Sequence, residues 1–85
     1  MLPDDAAKVV KYILAELANG FRHRPHEFSL KDIERATGVR PQNIGMAFSP
    51  HIEGPLRNRG FVAQKCGTPG RIKIVVDQAP PQTVV

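Results

Sequence analysis

The chain has 85 residues, 41% of them hydrophobic, with one cysteine and a formal net charge of +4. Such a length restricts it to one small domain, near the lower size at which a single core suffices without staples. The lone cysteine excludes an internal disulfide, and with no signal-peptide pattern and no apolar run of membrane-spanning length, a reducing cytoplasm is the expected compartment.

The first predicted element is a helix from Pro3 to Asn19. Val9, Val10, Ile13, Leu14 and Leu17 recur at helical spacing, and Ala6, Ala7, Ala15 and Ala18 add propensity. Asp4 and Asp5 suit the positive end of the dipole, and Asn19-Gly20 supplies a stop. Lys8, Lys11 and Tyr12 lie off the apolar stripe and read as solubilising positions. Residues 21 to 28, FRHRPHEF, are polar and contain proline, which predicts a loop anchored in the core by Phe21 and Phe28. Within it Arg22, His23, Arg24 and His26 form a basic cluster whose simplest account is a solvated loop. Glu27 to Leu30 can form a very short strand.

A second helix is expected to start at about Leu30. Ser29 followed by Asp32 is a capping-box spacing, with the serine oxygen able to accept an orphan amide. Leu30, Ile33, Ala36 and Thr37 make a narrow apolar stripe, opposite Lys31, Glu34 and Arg35. Gly38 can take the left-handed conformation that ends a helix, and Val39 can fold back onto the stripe. Pro41 sits where a new helix needs no amide, so a third helix can begin at once. Its apolar face runs through Ile44, Ala47, Phe48, Ile52 and Leu56, but Pro50 and Pro55 interrupt the backbone bonding. A segment from Pro41 to Phe48 followed by a new turn capped by Ser49 fits the pattern, as one kinked helix or as two short ones.

Gly60 ends the helical region. Phe61 to Cys66 and Arg71 to Val76 are β-prone runs separated by Gly67-Thr68-Pro69-Gly70, which predicts a hairpin. In the second run Ile72, Ile74 and Val76 share one face while Arg71 and Lys73 share the other, so the hairpin is expected to have a core side and a basic side. A lone hairpin is marginal in water and must lie on the helices. The domain is expected to cover residues 1–77, with a flexible tail at 78–85 containing Pro80-Pro81.

Charge divides the chain. Residues 1 to 36 carry six basic and six acidic side chains, whereas residues 37 to 76 carry six basic residues against Glu53 alone. The positive field therefore belongs to the third helical region and the hairpin, where a polyanion would be drawn.

Phe28-Ser29-Leu30 entering the second helix, Ala36-Thr37-Gly38-Val39 at its turn, Leu56-Arg57-Asn58-Arg59-Gly60-Phe61-Val62 leaving the third, and Gly67 to Arg71 at the hairpin tip together resemble the winged helix-turn-helix family over about residues 5 to 77. The likeness is one of pattern, and the breaks at Ser49-Pro50 and Gly54-Pro55 depart from the family's continuous third helix. The resemblance implies an α+β fold, a small winged helix-turn-helix with a three-helix core and a C-terminal two-stranded β-hairpin wing, and Pro50 and Pro55 leave its third helix here either kinked or broken in two. It also implies binding of double-stranded DNA, with the third helix in the major groove and the wing on the backbone. Arg40, Gln42 and Asn43 then stand where base edges are read. Lys65, Thr68, Arg71 and Lys73 are placed for phosphates, and Arg57 and Arg59 for phosphates or for the end of the last helical turn. A transcriptional regulator or accessory DNA-binding factor, lying on the nucleoid if the source is bacterial or archaeal, is the expected role, as a homodimer or within a larger complex or neither. The alternative is a winged-helix protein-interaction or assembly module without direct DNA contact. RNA or single-strand binding is disfavoured because the basic region has few aromatics on which bases can stack.

Enzymatic chemistry has little to stand on. His23, His26, His51 and Cys66 lack the close pairing of zinc ligands, and Cys66 on a strand beside a glycine turn reads as a small apolar residue. No phosphate-cradling glycine loop, paired catalytic carboxylates or serine elbow is present, so neither a cofactor nor a metal is expected.

Overall fold

In the computed structural model of the chain, residues 3–20, 25–68 and 70–78 are described. Helix α1 spans Pro3–Gly20, strand β1 His26–Ser29, helix α2 Leu30–Thr37 and helix α3 Pro41–Ala47. A wider helical turn at Phe48–Ile52 leads to helix α4, Glu53–Asn58, and the chain ends in strands β2, Phe61–Cys66, and β3, Lys73–Gln78. The expectations for Phe21, for the Arg22–Arg24 part of the basic cluster and for the tail beyond Gln78 fall outside the described residues. Among the described residues no helix is long and apolar enough to cross a membrane.

The architecture is α+β. Three antiparallel strands in the order β1-β3-β2 cover a helical layer made of α1, α2 and a broken third region. The hairpin read from the sequence thus gains a third strand, the short extended segment before α2. Register pairs Phe28 with Ile74 on one side and Ala63 with Val76 on the other, and all four are buried against the helices. The core is completed by Val9, Ile13 and Leu17 of α1, Leu30 and Ile33 of α2, Val39, and Ile44, Ala47, Phe48, Ile52 and Leu56 of the broken region. Tyr12, expected to serve only solubility, is half-buried with its ring edge-on to Phe28 at 6.0 Å.

Local chemistry explains the boundaries. Ser29 is extended (φ −71°, ψ 147°), and its hydroxyl accepts from the Asp32 amide at 3.1 Å, which starts α2. At the other end the Gly38 amide donates to Glu34 O at 2.7 Å with φ of 80°. Thr37 leaves the apolar stripe to help close this turn. Its hydroxyl donates to Ile33 O at 2.7 Å and accepts from the Val39 amide at 3.2 Å. Ala36, also placed on that stripe, is exposed because Leu30, Ile33 and Val39 already fill the core side of a helix only eight residues long.

The third region is two short helices. Ser49 is extended at φ −118° and ψ 121°, the conformation that a following proline ring favours, and Pro50 has no amide to offer the carbonyl of Met46. Pro55 lies in the first turn of α4, where an amide is not required. Strand β3 begins two residues later than the β-prone run suggests. Arg71 is drawn into a turn by its amide bond to Thr68 O at 2.8 Å, and pairing starts at Lys73 opposite Cys66.

Candidate nucleic-acid interface

The turn between α2 and α3 and the root of the hairpin come together at one place. The first amide of α2, on Leu30, donates to Ile72 O at 3.2 Å and so adds a rung beyond the Ser29–Lys73 pair. This bond sets the start of α2 against the entry to β3. A groove of 440 Å3 opens there, floored by Leu30, Pro41 and Ile72 and bordered by Ser29, Lys31, Gln42, Gly70, Arg71 and Lys73. Gln42, Arg71 and Lys73, three residues placed in the site from sequence, therefore share one groove. Lys31, on the solvated face of α2 by periodicity, joins them. Its location follows from the Leu30–Ile72 bond, which links residues too distant in the chain for periodicity to connect.

Arg40 and Asn43 are exposed at the start of α3, either side of Gln42. Arg40, in extended conformation (φ −66°, ψ 145°), is the residue from which the helix departs. Thr68 is exposed at the hairpin tip, where its carbonyl closes the turn onto Arg71. Among the described residues Arg40, Arg59 and Arg71 have no carboxylate partner.

The other cations are spread more widely than a single basic face. Lys65 lies opposite Ile74, so it shares the helix-facing side of the sheet, whereas Lys73, the neighbour of Ile74, shares the outer side. Lys65 reaches α3, donating from Nζ to Gly45 O at 3.4 Å, a late-turn carbonyl of a helix that stops at Ala47. On the outer side Lys73 forms an ion pair with Glu27 of the neighbouring strand β1. That hydrogen bond and the Glu27 charge hold the Lys73 ammonium above its ordinary pKa. Arg57 pairs with Glu53 one turn earlier in α4 at 3.7 Å, and Arg59 is exposed at the end of that helix. Neither arginine borders the groove.

The Glu27–Lys73 pair carries a prediction. If this face meets a nucleic-acid backbone, a phosphate at the hairpin root has to compete with Glu27 for the lysine, so Glu27→Gln should tighten duplex binding for all sequences. It should also steepen the dependence of log affinity on log salt by about 0.9 for the phosphate gained. Fluorescence anisotropy across a salt series measures both, and an unchanged slope would place Lys73 outside the footprint.

Among the described residues no group of three or more His, Cys, Asp or Glu side chains is arranged to hold a metal ion. His51 is exposed and Cys66 is a half-buried free thiol opposite Lys73. No family model matches the chain, and neither a curated protein nor a solved structure is detectably similar to it.

Proposed function

We propose that this chain is a winged helix-turn-helix domain that binds double-stranded DNA, with α3 in the major groove and the β2–β3 hairpin as a wing on the adjacent backbone. The observation that carries this reading is the groove where α2, α3 and the hairpin root converge, bringing Lys31, Gln42, Arg71 and Lys73 to one place. The three-residue turn from Gly38 to Arg40 and the strand order β1-β3-β2 agree with such a domain. Arg40, Gln42 and Asn43 are the base-reading set, since arginine pairs bidentately with guanine and the amides with adenine. Lys31, Thr68, Arg71 and, once released by Glu27, Lys73 are the phosphate set, and Lys65 braces the hairpin on α3 beside them. Arg57 and Arg59 fall at the margin, because α4 is separated from α3 by the break at Ser49. Regulation of transcription and an accessory architectural role are both compatible with this footprint.

The apolar floor of the groove, formed by Leu30, Pro41 and Ile72, favours a second reading in which a protein partner inserts a side chain there. One experiment separates the two. An electrophoretic shift of a random duplex pool at two salt concentrations should show salt-sensitive binding. In the variant carrying Lys31→Ala and Arg71→Ala, the salt slope should fall by about 1.8, two phosphate contacts, whatever the duplex sequence. Absence of binding at low salt would leave the protein-interaction reading in its place.

A further inference from the structure

Among the described residues, Met46 alone of the large apolar side chains stands exposed, at 62%. Two residues before it is Ile44, which is 1% exposed. At about 100° per residue, that separation turns Met46 to roughly the opposite side of α3 from the core. Gln42 lies about 40° from Met46 around the same helix and Asn43 about 60° to its other side. Met46 thus stands between the two amide side chains in angle and one turn further along. Gly45 beside it carries no side chain, and an added Cβ there would meet nothing within 4 Å. Burial does not explain an apolar residue here, since most of its surface stands in solvent.

We propose that Met46 determines specificity by meeting the C5-methyl group of a thymine in the major groove. The inference rests on the duplex-binding reading above and deepens it. The thymine methyl is the one apolar feature on the major-groove edges of the base pairs. A thioether on an unbranched, flexible chain is suited to cover it. Amide side chains at Gln42 and Asn43 favour adenine, and every adenine they meet brings a thymine methyl on the partner strand into the same groove. The chemistry of the three side chains is therefore directed at A·T pairs, with the amides on the adenine edge and Met46 on the methyl.

The test uses the full 85-residue chain and a duplex recovered from the random pool. Each thymine in turn is replaced by deoxyuridine, which removes only the methyl. The wild-type chain should lose roughly fourfold in affinity at one or two positions, the worth of one buried methyl-sized group. Met46→Ala should show no loss at those positions, and Met46→Leu should retain it. Because the side chain is exposed, both variants should keep the wild-type circular dichroism spectrum and melting temperature. Equal losses in the wild type and Met46→Ala would assign the methyl to another residue, and no sensitivity at any thymine would also overturn the proposal. Failure to bind any duplex at low salt would remove the DNA reading and this inference together. A self-association lost in Met46→Ala, seen by sedimentation, would then mark the methionine as a protein contact.

Discussion

Leu56→Ala should cost about 2 to 5 kcal/mol of folding stability, toward the upper end of that range. Leu56 is 0% exposed and is the buried residue of α4, a six-residue helix of sequence EGPLRN. Nothing local sustains that helix. Glycine and proline are the poorest helix formers, and so short a segment does not stay helical in water unaided. Its conformation depends on the leucine being driven into the core, where α4 packs against β2, the Phe48–Ile52 turn and α1. Removing the three heavy atoms beyond Cβ leaves a cavity and also releases the only apolar anchor of a segment with no propensity of its own. The domain is small, and stabilities of about 5 to 15 kcal/mol are usual for folded chains, so the loss is a large fraction of the total. Urea denaturation followed by circular dichroism should show a lowered midpoint. A change under about 1 kcal/mol would mean that α4 does not belong to the cooperative core.

Gly67→Ala should be markedly more damaging than Gly70→Ala. Both glycines have positive φ, 110° and 87°. At Gly70 an added methyl would meet nothing within 4 Å, leaving only the conformational cost of about 1 to 2 kcal/mol for an L-residue. At Gly67 the methyl would overlap the carbonyl oxygen of Arg71 and lie 3.2 Å from both Arg71 C and Ile72 Cα. All three are backbone atoms, so the overlap can be relieved only by opening the hairpin at its base. Gly67→Ala should therefore cost about 2 to 4 kcal/mol, conformational strain plus the displaced ladder. Amides of β2 and β3 should lose exchange protection before those of α1. On the DNA reading, the same variant should also lose the wing's part of the salt slope, because Arg71 moves. Equal destabilisation by the two substitutions would show that the close approach at Gly67 is relieved without effort.

Much of this fold is legible in the residues because its punctuation is local. Ser29 with Asp32, Gly38 before Val39, and Pro50 after Ser49 each act within three or four positions, and each set a boundary close to where the pattern puts it. What was not legible depends on pairing between distant segments. Alternation within one run already turns Lys73 away from Ile74, but that Lys65 faces α3 follows from its pairing with Ile74, a register that no single run specifies. Glu27 and Lys73 are 46 residues apart, so their ion pair, and the competition it sets up at the hairpin root, has no sequence signal. Lys31 reads as a solvated helix position for the same reason. Thr37 shows a different limit. Its place on the apolar stripe is correct by spacing, but its hydroxyl finds better partners in the turn.

The break at Ser49 sets the reach of α3. Seven residues rising 1.5 Å each make a rod of about 10 Å, and base pairs are stacked about 3.4 Å apart. On the duplex-binding proposal, one copy laid in the major groove has room to inspect about three base pairs, a message far too short to single out one address among millions. On that proposal, selectivity beyond three base pairs would be gathered by repetition, several copies spaced along a duplex or a second reader joined to the first.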